Sequence, residues 1–164
     1  MNVWVMKHLP GKKNSYDFCR QEGIVGVGWA VDATGPFNSI DDYMTARKVE
    51  NKFPDNNYLE KTFDLFRQFR KGDLVWLKDK KSVYYLCEIR DGQYQYRKDE
   101  EHEKADIISF MTCDYYPIDS ARLIPLKIIT RLNGRYFTIA KITERLAIEA
   151  SKCFIRILKR KENK

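Results

Sequence analysis

Glu22-Gly-Ile-Val-Gly-Val-Gly-Trp-Ala-Val-Asp32 is the stretch on which the reading of this chain turns. Ile24, Val25 and Val27 suit a buried strand. Gly26 and Gly28 remove side chains from one face, which weakens a strand unless something must come close to its backbone. The run ends on Trp29, a flat ring just past a bare face, placed to stack on another flat ring. Trp4 and Trp76 sit inside alternating strands and read as core residues instead.

Working outward, Asn2 to Met6 alternates as a first strand, and a basic loop from Lys7 to Lys13 breaks it. A short helix capped at Asn14 or Ser15 runs to Glu22, where Gly23 stops it. Beyond Trp29, residues 32–38 form a loop. Ser39-Ile-Asp-Asp42 has the capping spacing that opens a helix bearing Ile40, Tyr43, Met44 and Val49. Leu59, Phe63, Phe66 and Phe69 recur at helical intervals over 58–69, and Gly72 ends that helix. From Asp73 the period becomes two. Strands at 74–77, 83–89 and 93–97, the last pair joined at Asp91-Gly92, predict a three-strand meander. Tyr84 and Tyr85 point to opposite faces, so at least one packs inward. The acidic run 99–104 reads as an exposed loop, 107–112 and 123–130 as strands, Asn133-Gly134 as a turn. Thr138 is expected to cap a final helix with Ile139, Ile142, Leu146 and Ala150 on one face. The sum is an α+β fold, a curved mixed sheet or small β-barrel flanked by helices.

The chain has 164 residues and no Gly/Ser or Pro-rich divider, which predicts one domain over 1–158 with 159–164 as a basic tail or the start of a linker. Net charge is +7, spread through basic pairs such as Lys12-Lys13, Arg47-Lys48, Arg70-Lys71 and Arg97-Lys98, and a polyanion is the economical partner. Solubility alone is the competing explanation for that charge. Cys19, Cys87, Cys113 and Cys153 are far apart with only His8 and His102 to help, so neither zinc nor disulfides are signalled; reduced, buried thiols in a cytoplasmic protein are expected. No apolar run approaches the roughly 20 residues of a membrane span.

Three motifs, in order and at compatible distances, carry a resemblance: Gly23-Ile-Val-Gly-Val-Gly-Trp29, Arg70-Lys-Gly-Asp-Leu-Val-Trp-Leu77 and Leu86-Cys-Glu-Ile-Arg-Asp-Gly-Gln-Tyr-Gln-Tyr96. Over roughly residues 1 to 125 the chain resembles the PUA-like superfamily, nearest to the EVE and YTH-type domains at the N-termini of McrB-like restriction proteins. That resemblance implies a small barrel whose mouth holds one nucleobase, commonly methylated, in an aromatic cage. It places Trp29 as the cage tryptophan, Tyr94 and Tyr96 as a second wall, Tyr115 or Tyr116 as a third, and Asp32 in the same pocket. Lys7 and His8 fall where relatives contact the base edge or a phosphate, and Lys12, Lys13, Arg47, Lys48, Arg97 and Lys98 join them as backbone contacts. Phe110 stands where relatives often show tryptophan, and the acidic run after Arg97 is a second departure.

The implied function is a non-catalytic DNA-binding specificity domain of a modification-dependent restriction or defence system. It would flip a modified base out of double-stranded DNA, need no cofactor or metal, and work beside an AAA+ motor or nuclease partner. An RNA-binding module of the same kind and a small protein-interaction domain are the alternatives. Asp79 with Glu88-Ile-Arg90 faintly matches a restriction-nuclease metal site, but arginine stands where lysine assists water, and no phosphate-cradling Walker sequence is present.

Overall fold

The computed structural model describes residues 1–7, 15–33, 35–52, 56–134 and 137–162, residue 162 by its backbone alone. In chain order these form β1 (Val3–Met6), α1 (Ser15–Glu22), β2 (Ile24–Val27), α2 (Ile40–Val49), α3 (Asn57–Phe66), β3 (Leu74–Lys78), β4 (Tyr84–Ile89) and β5 (Gln95–Tyr96). Then follow α4 (Glu100–Ala105), β6 (Ser109–Ile118), a 3-10 turn (Ala121–Leu123), α5 (Leu126–Asn133), β7 (Ile139–Lys141) and α6 (Arg145–Glu162). The strands run β2-β6-β4-β3-β1-β7 with β5 also beside β6; all pairs are antiparallel except β1 with β3. The result is an α+β fold in which a strongly curled mixed sheet makes a half-barrel flanked by helices.

Alternation along the strands gives the sheet two apolar faces. Trp4, Met6, Val75 and Leu77 point to one, where α2 and α3 cover them. Val3, Val5, Leu74 and Trp76 point to the other, under α5 and α6. Trp4 and Trp76 are therefore both core residues, on opposite sides, and Tyr85 and Tyr84 divide in the same way. Helix α2 opens on the expected capping box: Ser39 Oγ accepts the Asp42 N–H and the Asp42 carboxylate accepts the Ser39 N–H. Helix α3 fully buries Leu59, Phe63 and Phe66, each contributing roughly 1.5–3 kcal/mol. The Lys71-Gly72-Asp73 entry to β3 has a specific physical purpose. The buried Asp73 carboxylate accepts the Asn2 N–H at 2.7 Å and the Trp4 indole N–H at 3.1 Å, tying β1 to the start of β3.

Several sequence expectations need correction. Asp91-Gly92 does not fold β5 back on β4. Arg90 N–H donates to the Thr112 carbonyl and Arg97 N–H to that of Ile108, so β4 and β5 follow one another along a single edge of β6, with a bulge between them. The acidic run is α4: the Asp99 carboxylate caps the His102 N–H, its glutamates sit at the positive end of the helix, and His102 and Ala105 are buried. Residues 126–133 form α5, because Ile128 and Leu132, four apart, pack onto the sheet and tertiary burial overrides the strand preference of Lys127-Ile-Ile-Thr130. Ile139 lies in β7, paired with Met6, and the buried face of α6 is Ala147, Ser151 and Ile155, while Leu146 is exposed. Lys159 and Lys161, expected in a tail, belong to α6 and pair with Glu88 and Asp119. Cys19, Cys87 and Cys113 are buried; Cys153 is exposed. Among the described residues no helix is long and apolar enough to cross a membrane.

Candidate functional site

Strand β2 stops at Val27, and the two glycines explain how it meets its neighbours. A Cβ on Gly26 would lie 2.6 Å from the Ser109 carbonyl oxygen, and one on Gly28 would lie 2.5 Å from Asp106 Oδ1 and 2.8 Å from the Asp106 carbonyl oxygen. The bare face is thus filled by the chain's own 106–109 segment, which pulls β2 tight against the entry to β6. Immediately afterwards Trp29 adopts φ 65°, the left-handed region that a bulky residue rarely occupies, at a cost of order 1–3 kcal/mol. The compensation is visible. The fully buried Tyr43 donates its hydroxyl to the Trp29 carbonyl at 2.7 Å, and the half-buried indole packs against Phe63 and edge-on against Tyr58 at ring separations of 6.1 and 6.2 Å.

Trp29 held this way forms part of a pocket of about 130 Å³. Val27, Trp29 and Ile107 supply apolar wall; Lys7, Ser15, Asp106 and Thr138 supply polar groups. A dry cavity of about 150 Å³ accepts benzene, so the space is on the scale of one flat ring. Lys7 stands at the end of β1 with its ammonium 4.6 Å over the Phe137 ring and donating to the Gly134 carbonyl. Burial, and secondarily the Lys78 charge, lower its pKa, which makes that proton easier to give up than an ordinary lysine's. Asp106, the left-handed C-cap of α4 with φ 57°, is exposed. Its carboxylate is an acceptor suited to an amino group at a ring edge. Ser15 donates to the Ala105 carbonyl at 2.6 Å, and Thr138 shares a hydrogen bond with Tyr58, which fixes two more sides.

The structure brings Trp29 and Lys7 together and separates them from the other expected walls. Tyr94 and Tyr96 share one face of their segment, as predicted, but line a different cleft of about 480 Å³ between residues 36–38 and 93–97. Tyr94 hydrogen-bonds Ser109 Oγ at 2.9 Å; Tyr96 meets Phe37 edge-on at 4.6 Å, and its buried hydroxyl faces the Val31 amide without a well-formed hydrogen bond. Tyr116 is buried in the opposite core with Trp76, so it cannot be a third wall beside Trp29. Tyr115 donates to the Ile24 carbonyl. Asp32 is exposed and paired with Lys52, whose hydrogen bond holds its carboxyl below the ordinary range.

Of the expected phosphate contacts, Arg47 is corrected outright: it is buried and pairs with Glu60 at 2.9 Å, because the amphipathic face of α2 points it inward. Lys98 is half-buried and donates to the Val31 and Asp32 carbonyls. Lys48 and Arg97 are exposed, while His8, Lys12 and Lys13 lie outside the described residues. Asp79 accepts the Val83 N–H, Glu88 pairs with Lys159 and Arg90 with Asp114, and no metal-holding group of three ligands occurs among the described residues. Sequence reasoning missed Asp106, Thr138 and Ser15. Each is placed by a contact distant in sequence rather than by any local pattern: Asp106 by the close approach of Gly28, Ser15 by the Ala105 carbonyl, and Thr138 by the Lys7 backbone and Tyr58.

No family model and no curated protein matches the sequence. Among solved structures, the chain is similar to the crystal structure of protein Atu2648 from Agrobacterium tumefaciens, at 16% identity and TM-score 0.43, covering 93% of this chain and 92% of that one.

Proposed function

We propose that this chain is a non-catalytic nucleic-acid reader of the PUA-like, EVE or YTH-type kind, which takes one base turned out of double-stranded DNA into the Trp29 pocket. Its setting would be a modification-dependent restriction or defence system, with motor and nuclease supplied by partners. The observation that carries the reading is Trp29 itself: a strained tryptophan, secured by Tyr43, in the wall of a ring-sized pocket with Lys7 at its edge. Strain of this kind persists where the surroundings over-determine it and clusters at binding sites.

The energetics are coherent. Extruding a base costs a few kcal/mol. Stacking on an aromatic returns about 1–3 kcal/mol, and lysine or arginine contacts to phosphate supply a salt-dependent remainder. A methyl group buried against Val27 or Ile107 adds about 0.8 kcal/mol, enough to favour a modified base over its unmodified parent severalfold.

The test is fluorescence anisotropy near 0.15 M salt with duplexes differing in one base: unmodified, N6-methyladenine, 5-methylcytosine or 5-hydroxymethylcytosine, with a matched RNA. Tighter binding to one modified duplex, lost in a folded Trp29→Ala protein, is the expected result. A preference for the RNA would move the same pocket to an RNA reader. Equal binding to every probe, unaffected by Trp29→Ala, would remove the proposal.

A further inference from the structure

We infer that the cleft between residues 36–38 and β5 is a second subsite, which holds a nucleotide flanking the base bound at Trp29 on the same strand. The inference rests on the base-reading function proposed above. Its first support is position. In the sheet, Gly26 and Gln95 both pair with Phe110, and Val27 and Tyr96 both pair with Ser109. Strands β2 and β5 therefore flank the same two residues of β6, about 10 Å apart, and the cleft lies one strand beyond the wall of the Trp29 pocket.

Its second support is composition. The cleft is lined by the aromatics Phe37, Tyr94 and Tyr96, the amides Asn38, Gln93 and Gln95, and Arg97, and no carboxylate is among its lining residues. The clefts beside α1 differ: one carries Glu22 and Asp114, another Asp17, Glu22 and Glu101. Aromatic planes stack bases, side-chain amides match base edges, and a guanidinium serves a phosphate or a base face. Arg97 is exposed, lies 5.9 Å over the Phe110 ring and forms no salt bridge with a described residue, whereas Arg47, Arg67 and Arg90 are each ion-paired. An anion with a flat ring is the complement of that surface. The cleft is open to solvent and offers about 480 Å³, room for a base and its phosphate to lie along it rather than be enclosed.

The third support is a direct connection between the two sites. Tyr43 holds the Trp29 carbonyl with its hydroxyl, and its ring meets Phe37 at 6.1 Å and Tyr96 at 5.9 Å. A base seated against Phe37 or Tyr96 presses on the residue that fixes Trp29.

The experiment uses the modified duplex that shows Trp29-dependent binding, together with versions carrying an abasic residue immediately 5′ or 3′ of the modified base. Native protein should lose about tenfold in affinity for one of the abasic duplexes, within the range of one stacked base. Arg97→Ala, an exposed change, and Phe37→Ala, checked for folding by thermal melting, should bind the intact duplex more weakly and show little further loss when that flanking base is removed. An abasic penalty that is absent, or equal in native and variant proteins, would overturn the subsite while leaving the Trp29 pocket standing. Absence of Trp29-dependent binding to any duplex would overturn both.

Discussion

Replacing Tyr43 by Phe removes one oxygen and little else. The ring stays stacked on Phe63, 4.8 Å away and inclined by 28°, and remains fully buried. What is lost is the 2.7 Å bond to the Trp29 carbonyl, in a segment only partly buried. A net hydrogen bond contributes about 0.5–1.5 kcal/mol, and a partly solvated carbonyl left without its partner costs at the lower end of about 1–3 kcal/mol. A stability loss of roughly 1–2 kcal/mol follows. It is of the same order as the backbone strain at Trp29, so the left-handed conformation loses its margin over relaxed alternatives. If about 1 kcal/mol of the change falls on the pocket-forming conformer, affinity for the modified duplex drops about fivefold. Urea unfolding with an unchanged slope reads the first quantity, and anisotropy with modified and unmodified duplexes reads the second. A Tyr43→Phe protein with native stability and native base preference would refute the view that this hydroxyl sets Trp29.

Gly28→Ala should destabilise by about 1–3 kcal/mol and open the pocket, since the new Cβ meets backbone as well as side chain of Asp106; a native urea midpoint would contradict that. Ser151→Ala leaves the buried Trp76 indole N–H, now donating to Ser151 Oγ at 2.9 Å, without a partner, and should cost about 1–3 kcal/mol in thermal or urea unfolding with base binding unchanged. Stability should fall in alkali. Burial raises Cys19 and Cys87 above the ordinary 9.0 and Tyr43 above 10.0, so the folded chain keeps protons that the unfolded chain releases. Their contribution is complete below pH 9 and is lost as pH rises towards the folded values, at about 1.4 kcal/mol per unit for each group in its window. Lys7, lowered from 10.5, works in the opposite sense, but its ammonium is only partly buried and offsets little. Urea midpoints that stay level from pH 8 to 11 would count against the buried placement of these groups.

Local signals were readable wherever the deciding contact lies within a few residues. Ser39 and Asp42 cap each other, Gly23 stops α1, and the alternation of residues 74–77 sends Trp76 into the core, so these elements follow from spacing alone. The sequence was opaque where a distant partner decides. Asp91-Gly92 has hairpin chemistry, yet the strand after it continues along β6, a segment that comes later in the chain. The β-branched run in α5 is helical because the sheet needs Ile128 and Leu132 four residues apart. The same limit divides the candidate site. Periodicity put Tyr94 and Tyr96 on one face, and the glycines pointed to Trp29. Which edge of β6 each would occupy depends on pairing that no short window contains.

The placement of β1 bears on how the chain reaches this state. Val3–Met6 sits between β3, some seventy positions later, and β7, more than sixty positions beyond that, and its parallel partner cannot be reached by a simple reversal of the chain. Chains emerge from the ribosome N-terminus first. Val3-Trp-Val-Met6 therefore waits, apolar, with both edges unpaired until β3 is made and with one edge unpaired until β7 follows. Such non-local pairing slows folding and lengthens exposure to aggregation. A nascent chain halted before Ile139 should leave β1 open to protease on one edge, and the Asp73 contacts with Asn2 and Trp4 act as a provisional clasp until the final hairpin-free strand arrives.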